Sequence, residues 1–519
     1  MRILGSIIKS AVEFRSRIPI ENLKTQDPYK AQIRTLKKLL RQAQLTSFGE
    51  EYGFQEMRRL RNPLGLFKQR VPLFDYDSMH RNWWYRTLNG EAFVSWPGQV
   101  KYFALSSGTS GATSKYLPIT RDMLRAIKKT STRQIWSLAK YDFPAEFYSK
   151  GILMLGGSTQ LQFNGTYYEG DLSGITTGNI PFWFQHFYKP GRRISKETNW
   201  TTKLDEIVKK APEWDIGVIA GVPAWLQILL EKIIKTYNLN TIHDMWPNLS
   251  IYVHGGVSFA PYLKGFEKLL AHPLVYIETY LASEGFIAYE NRPDSGAMQL
   301  VLDNGIFFEF VPFNETNFDE DGNLKPDATV LNIREVEEDK DYGLLITTCA
   351  GAWRYLIGDT VRFTSKALSE IVITGRTKQF LSLCGEHISQ ENLNYAVEML
   401  SKKLNITIRE FTVSGIKHKE GMFAHKWYLG CDSPLDADTA ARLLDENLKI
   451  LNDDYRTERL HAIRAVTAEV MEPSVFYEWM KLQGKEGGQS KFPRVIKNAK
   501  LDSWVEFLNN KKKNQKATV

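Results

Sequence analysis

Short apolar runs alternate with helix-like segments between about residues 150 and 280, and this alternation constrains the fold of the 519-residue chain more than any other feature. Three of the runs are 151–155, 216–220 and 251–254, and an amphipathic helical pattern covers 224–237. Short apolar runs separated by helices are typical of a parallel sheet with helices on its faces. Ligands bind outside the carboxyl ends of the strands in such sheets. The pattern therefore predicts an α/β domain with its ligand site at one edge of the sheet.

The pattern changes twice further along the chain, which indicates more than one domain. A chain of 519 residues is too long for one ordinary core. Hairpin-like strands begin after Gly305 and predict a small β-barrel-like part of the first domain. A compact α+β pattern follows 375–378 and is large enough to fold independently. We therefore expect a large N-terminal domain over 1–374, a hinge at 375–378 and a smaller, mobile C-terminal lid domain over 379–519.

Composition and charge indicate which classes of protein the chain can belong to. A hydrophobic content of 43% with 24% charged residues is globular. The net charge is +8, but four lysines lie within the last nine residues, so we expect a frayed, solvent-exposed tail and no nucleic-acid partner. The apolar runs are too short to cross a bilayer, and three scattered cysteines form neither a disulfide framework nor a CxxC site. We expect a cytoplasmic monomer without a membrane partner.

A loop rich in hydroxyl groups and glycine follows the apolar stretch 102–105. The loop and the lysine after it comprise Ser106, Ser107, Gly108, Thr109, Ser110, Gly111 and Lys115. Glycine lets several backbone N–H groups point at one anion, hydroxyl groups add donors, and lysine supplies positive charge. The spacing excludes the common P-loop, because Thr113 stands where its second glycine would be. The loop predicts a cradle for a polyphosphate such as ATP, although a polar loop without a ligand stays open on this motif alone.

Four further motifs follow the loop in a fixed order. They lie at 254–258, 280–285, 355–359 and 484–494, with a Gly-Arg-Thr-Lys segment at 375–378 between the last two. With these motifs the chain resembles the acyl-acid amido synthetase family of the adenylate-forming superfamily, best known from auxin-responsive plant enzymes. The resemblance covers roughly residues 100–494, and the order and spacing of the motifs make it specific.

The resemblance implies a ligase that uses ATP and Mg²⁺. A small-molecule carboxylic acid would be activated as an acyl-adenylate and then joined to an amine, such as that of an amino acid. Glu284 would be the Mg²⁺ ligand, and Lys491 would neutralise the charge that develops between the carboxylate and the α-phosphate. The implied nucleotide-binding residues are Ser106, Ser107, Gly108, Thr109, Ser110, Lys115, Tyr280, Ser283, Asp359 (on the ribose) and Arg376.

Several alternatives stay open at this stage. Tyr280 is also explained as a core residue, Asp359 as part of a turn and Arg376 as a surface cation. The chain departs from the plant pattern at 383–387, where it has no lysine, so that nucleotide contact is not carried over. Delivery of the acyl group to a thiol, such as coenzyme A or a carrier protein, is a second possible function, and nucleotide binding without catalysis is a third. Six aromatic residues are candidates for either the acyl pocket or the core, namely Tyr167, Tyr168, Phe182, Trp183, Phe184 and Phe187.

Overall fold

The computed structural model describes residues 2–17, 27–106, 115–180, 182–256, 259–319, 322–378, 381, 388–417, 423–452, 455–456, 459, 463–485 and 491–517. Within these ranges the α-helices are α1 (Arg2–Arg17), α2 (Pro28–Ala43), α3 (Ser47–Glu51), α4 (Phe54–Met57), α5 (Leu64–Arg70), α6 (Tyr76–Met79), α7 (Tyr85–Leu88), α8 (Arg121–Ser137), α9 (Leu172–Gly178), α10 (Arg192–Ser195), α11 (Trp200–Lys210), α12 (Pro223–Tyr237), α13 (Ala260–Glu267), α14 (Gln390–Leu404), α15 (Ala437–Leu451), α16 (Ser474–Leu482) and α17 (Asn498–Ala517).

The strands of the same ranges are β1 (Tyr102–Ser106), β2 (Lys115–Ile119), β3 (Gly151–Leu155), β4 (Gln162–Phe163), β5 (Tyr168–Gly170), β6 (Tyr188–Lys189), β7 (Ile216–Gly221), β8 (Ile251–Gly255), β9 (Val275–Ala282), β10 (Gly285–Tyr289), β11 (Met298–Leu300), β12 (Ile306–Pro312), β13 (Asp341–Thr348), β14 (Tyr355–Ser365), β15 (Glu370–Arg376), β16 (Ile408–Lys417), β17 (Phe423–Cys431) and β18 (Ile463–Met471).

One eleven-stranded sheet forms the centre of the N-terminal domain, in the order β12-β13-β14-β15-β11-β10-β9-β8-β7-β3-β6. The five strands from β9 to β6 are parallel, and the others are antiparallel. The expected parallel sheet is present, and the antiparallel strands after Gly305 continue it instead of closing a separate barrel. Because β8 and β9 are parallel neighbours, with His254 opposite Glu278, their carboxyl ends meet at one edge.

The core of the N-terminal domain has two main halves. The first packs the early helices against the antiparallel strands, and Phe48 stacks on Trp353 with ring centroids 5.4 Å apart. The second packs α11 and α12 against the parallel strands. This second half also includes side chains from the end of the chain, among them Trp479, Phe492 and Trp504. Apolar contact therefore joins the C-terminal segment to the N-terminal domain.

The C-terminal part contains the three-stranded sheet β16-β17-β18, with α14 and α15 packed on it. A large α/β domain followed by a smaller α+β unit confirms the expected fold class. The expected frayed tail is wrong, because α17 extends through the basic cluster, and Lys511 and Lys512 form ion pairs with Glu478 and Glu469. Ion pairing to neighbouring acids holds this end of the helix on the protein.

Two further expectations concern cysteines and the membrane. Cys349 and Cys431 are buried free thiols, and Cys384 lies outside the described residues. None of the helices in the described ranges has the length and apolar character needed to cross a membrane.

Candidate active site

A cleft of about 1720 Å³ opens at the carboxyl edge of the parallel strands, between the N-terminal and C-terminal parts of the chain. Side chains that are hundreds of positions apart in sequence surround it. The residues singled out from the sequence that line it are Lys115, Tyr280, Ser283, Glu284, Asp359, Arg376 and Lys491. The structure thus brings the separate motifs to one place, while their individual roles stay predictions.

The ends of the hydroxyl- and glycine-rich loop lie beside this cleft. Ser106 ends β1 and pairs in register with Lys115, which begins β2. Lys115 lies over the ring of Tyr76, with its Nζ 5.1 Å from the ring centroid. The predicted phosphate-binding residues Ser107, Gly108, Thr109 and Ser110 lie outside the described residues.

Asp359 is held by two partners on other strands of the large sheet, Arg376 of β15 and Tyr280 of β9. It lies within β14, and the ladder places it opposite Arg376 of β15, whose Nε is 3.0 Å from Oδ1. The hydroxyl of Tyr280 donates to Oδ2 at 2.5 Å. Asp359 is 7% exposed, and a carboxylate has further lone pairs to offer to a ligand. The arrangement is suited to hydrogen bonding with two vicinal hydroxyl groups, as the ribose prediction requires.

Glu284 lies in the two-residue turn between β9 and β10, after Ser283. Burial and the nearby charge of Asp359 raise the pKa of Glu284 to about 7, against the opposite effect of Lys115 and Arg376. No group of three or more His, Cys, Asp or Glu side chains forms a metal cage within the described ranges. A single carboxylate fits Mg²⁺, which typically uses one or two carboxylates together with phosphate oxygens.

Lys491 enters the cleft from the C-terminal part. Its Nζ donates to the backbone oxygen of Gly256, which follows β8. The side chain is exposed to the cleft but enclosed by both domains, and this enclosure together with the charge of Arg376 lowers the pKa of Lys491 to about 8. A Cβ atom at Gly256 would lie 2.6 Å from this Nζ. With any other residue at this position, the end of the lysine side chain would have to shift from its observed place.

Two lining residues were missed by the sequence analysis. Tyr76 begins α6, and its contact with Lys115 has no sequence signal beyond the helix start at Asp75 and Ser78, which form a capping box. Lys500 lies in the first turns of α17 and also lines the cleft. Burial, followed by the charge of Lys485, lowers the pKa of Lys500 to about 8. No local pattern marks Lys500, because its place depends on how α17 packs.

The other end of the cleft is mainly apolar. It lies between α8 and the parallel strands, and its apolar lining includes Leu124, Ile127, Ile135, Ile152, Met154, Phe184, Val218 and Val253. Of the six aromatic candidates, Phe184 lines this lobe, and three do not. Tyr167 packs on Phe103 in a separate small cluster, Tyr168 is 42% exposed and Phe187 does not line the cleft. The side chains of Phe182 and Trp183 lie outside the described residues.

Two carboxyl groups interrupt the apolar lobe. Glu278 and Glu290 lie opposite each other across β9 and the end of β10, and both line the cleft. Burial and the charge of Glu290 raise the pKa of Glu278 to about 7. Glu290 accepts a hydrogen bond from the hydroxyl of Ser295. The lobe can therefore form hydrogen bonds with a polar substituent on an otherwise apolar ligand.

Comparison with known proteins adds independent information. The model of the GH3 family N-terminal domain matches residues 17–199 and 158–274, that of the central domain 299–376 and that of the C-terminal domain 391–500. The chain spans about half the length of several curated relatives. One is indole-3-acetic acid-amido synthetase GH3.8 of Oryza sativa subsp. indica, 30% identical over 49% of this chain and 45% of the relative.

Other similarities extend over nearly the whole chain. Jasmonoyl–L-amino acid synthetase JAR6 of Nicotiana attenuata is 23% identical, with 94% of both chains covered. The solved structure of GH3.15 acyl acid amido synthetase is similar with a TM-score of 0.75 at 16% identity, over 97% of this chain and 96% of that one. A 2-hydroxyisobutyryl-CoA ligase has a TM-score of 0.58 at 13% identity, over 93% and 92%. The structural similarities show a shared fold, and the matches to all three domain models establish that the chain belongs to the GH3 family.

Proposed function

We propose that the protein is an ATP-dependent acyl-acid amido synthetase. In the first step a carboxylate attacks the α-phosphate of ATP, forming an acyl-adenylate and releasing pyrophosphate. In the second step an amine, such as that of an amino acid, attacks the acyl carbon, forming an amide and releasing AMP and a proton. Support comes from family membership and from the names of relatives that conjugate acids to amino acids.

The observation that most directly supports the proposal is that Lys491 and Asp359 line the same cleft. Asp359, with Tyr280 and Arg376, would hold the ribose at one end of the nucleotide. Lys491 would then lie where negative charge builds between the attacking carboxylate and the α-phosphate. A positive group that is already in position stabilises that charge without the cost of reorganisation. The predicted loop 106–110 with Lys115 would hold the remaining phosphates.

Glu284 is the residue that would hold Mg²⁺. It offers a single carboxylate, and cationic side chains lie near it. When bound with ATP, Mg²⁺ would neutralise phosphate charge and act as a Lewis acid. The cationic side chains Lys115 and Arg376 lie near enough to Glu284 to oppose the rise in its pKa. Once ATP brings its own negative charge, these cations are available to the phosphate oxygens.

A rotation of the C-terminal domain would let the same cleft serve both steps. We propose 1–374 and 379–519 as the moving units and 375–378 as the hinge, since hinge motion commonly assembles a site and then changes it. Arg376 of the hinge is bonded to Asp359, which would link the hinge to the nucleotide. The chain is proposed to act as a monomer, and in the cytoplasm, where its buried free thiols stay reduced.

The acid is proposed to be small and largely apolar, because apolar side chains of α8 and the parallel strands line the far lobe. Glu278 and Glu290 favour an acid with a hydrogen-bond donor at its distal end. The amine acceptor is proposed from the relatives' names alone.

The test is a screen for ATP–pyrophosphate exchange with a panel of carboxylic acids. The panel includes aryl and alkyl acids with and without a distal hydroxyl or amino group. We expect exchange that depends on an acid and on Mg²⁺. AMP release is then measured with amino acids and, separately, with coenzyme A. Acceleration by amino acids supports the proposal, acceleration by coenzyme A alone favours the thiol alternative, and nucleotide binding without any exchange favours the non-catalytic one.

A further inference from the structure

A buried ionic network joins the two domains at α13. Arg494 and Glu410 form an ion pair at 2.7 Å, and their side chains are only 4% and 3% exposed. Tyr262 of α13 completes the network from the N-terminal domain. Its hydroxyl donates to Oε1 of Glu410 at 2.9 Å and accepts from Nη2 of Arg494 at 3.3 Å. One N-terminal hydroxyl therefore contacts both members of a C-terminal ion pair.

Arg494, a member of this network, lies three residues after Lys491 in the chain. The backbone oxygen of Arg494 accepts from the amide of Val413 at 3.0 Å, and the amide of Ile496 donates to Val413 at 3.0 Å. Phe492 is buried against Trp479 and Trp504. Residues 492–496 are thus fixed on β16 and in the apolar core, and Lys491 stands at the start of this fixed segment.

Other polar contacts between the domains are more exposed to water, among them the ion pair of Arg362 and Glu391 at 2.9 Å, whose side chains are 29% and 19% exposed. Arg409 pairs with Glu231 of α12 at 3.0 Å, but the two side chains are 27% and 32% exposed, so water screens their attraction. The Nζ of Lys264 lies 3.4 Å from the backbone oxygen of Ser401. Hydrogen bonds to ionised groups that are shielded from water are stronger than such contacts. Of these contacts, the buried network is the one best shielded from water.

We infer that Tyr262 is a positioning residue for Lys491. Its hydroxyl holds Arg494 and Glu410 against α13, and this seats the segment that carries Lys491 so that the amino group reaches the Gly256 oxygen. The inference rests on the proposed function, because the part of Lys491 in adenylation is itself proposed. We expect Tyr262 to affect only the first step, because the domains would change their orientation before the second step.

Tyr477 supplies a matched control. Its hydroxyl also lies near Oε1 of Glu410, at 3.3 Å, but it belongs to α16, in the same domain as Glu410. Tyr477→Phe therefore removes a hydroxyl from the same carboxylate without removing a bond between the domains. Tyr262→Phe removes the bond between the domains and retains the buried ring.

The experiment measures both half-reactions in the full chain with an acid that supports exchange. We expect Tyr262→Phe to lower kcat for ATP–pyrophosphate exchange about 10-fold, the effect of one hydrogen bond to a charged group. Amide formation from a supplied acyl-adenylate should be unchanged, and Tyr477→Phe should exchange at the wild-type rate. In a Lys491→Ala background, Tyr262→Phe should cause no further loss. Hydrogen–deuterium exchange of residues 491–496 should be faster in Tyr262→Phe than in Tyr477→Phe.

Each contrary result has a separate meaning. Wild-type exchange kinetics in Tyr262→Phe, equal losses in both half-reactions, or a full additional loss in the Lys491→Ala background would overturn the inference. Unchanged hydrogen–deuterium exchange of 491–496 would also overturn it and leave the proposed function intact. Absence of acid-dependent exchange in the wild-type chain contradicts the proposed function itself, and the inference then falls with it.

Discussion

The hydroxyl of Tyr280 donates a 2.5 Å hydrogen bond to Asp359, a residue 79 positions later in the chain. Tyr280 lies on β9 and Asp359 on β14, so the bond joins the parallel and antiparallel parts of the large sheet. With Arg376 on the other oxygen, the carboxylate is oriented before any ligand binds. Preorganisation of this kind lowers the entropic cost of binding.

Asp359→Asn should weaken ATP binding without unfolding the protein. The amide retains the shape of the side chain but loses the charge that pairs with Arg376 and that would accept from the ribose. Loss of hydrogen bonds to a charged group predicts a rise in KM for ATP of roughly 10- to 100-fold. Exchange kinetics at varied ATP measure this rise. Tyr280→Phe should have a smaller effect, because it retains the carboxylate; a larger effect than that of Asp359→Asn would argue against the ribose assignment.

Lys491→Ala should strongly slow acyl-adenylate formation and leave the fold intact. Removal of a positioned charge from a developing anionic centre costs about 100- to 1,000-fold in rate. Pyrophosphate exchange measures the loss, and circular dichroism monitors the fold. Near-normal exchange in the variant would refute the assignment.

The pH dependence of the first step should follow the charge of Lys491. Its pKa is lowered to about 8, so the charged form dominates below pH 8 and is lost above it. For exchange at low ATP, kcat/KM should therefore fall about 10-fold per pH unit above 8. Lys491→Arg retains its charge throughout this range and should remove the fall. An identical alkaline fall in that variant would assign the titration to another group.

Gly256→Ala should displace the amino group of Lys491 from its observed place. The added Cβ atom would lie 2.6 Å from the lysine Nζ, and the backbone φ of +83° disfavours any residue but glycine. Displacement of a reacting group by about 1 Å costs on the order of 100-fold in rate. Gly98→Ala is the matched control, because Gly98 has the same φ and open space around it. Equal loss of exchange in both variants would show that backbone strain, not the lysine contact, is responsible.

Arg354→Met should destabilise the N-terminal domain. Arg354 forms a two-point ion pair with Glu309 at 3.0 and 3.1 Å, and the two side chains are 5% and 2% exposed. Removal of one partner leaves the other charge buried, which lowers the free energy of unfolding by ~3–5 kcal/mol. Thermal and urea unfolding measure the change. Arg354→Met combined with Glu309→Leu should recover part of the loss; a double variant less stable than Arg354→Met would contradict this explanation.

Several local elements could be predicted from the sequence because their signals are short-range. Thr120 caps α8 by accepting from the amide of Met123, and a hydroxyl residue before a helical pattern is a recognisable start. The strands predicted at 151–155, 216–220 and 251–254 also lie close to their predicted places. The predicted frayed tail was wrong, because the apolar face of α17, which carries Trp504, is stabilised by packing on distant residues and not by its own sequence.

By itself the sequence determined the α/β class, the order of the motifs and the chemical types of the residues now found around the cleft. Only the tertiary structure decided which side chains form the apolar lobe of the cleft, that Tyr76 and Lys500 line the cleft, and that Tyr262 links the two domains. The physical reason is the range of the interactions. Turn and cap preferences act between neighbours in the chain, whereas the cleft forms where apolar faces far apart in sequence are buried together.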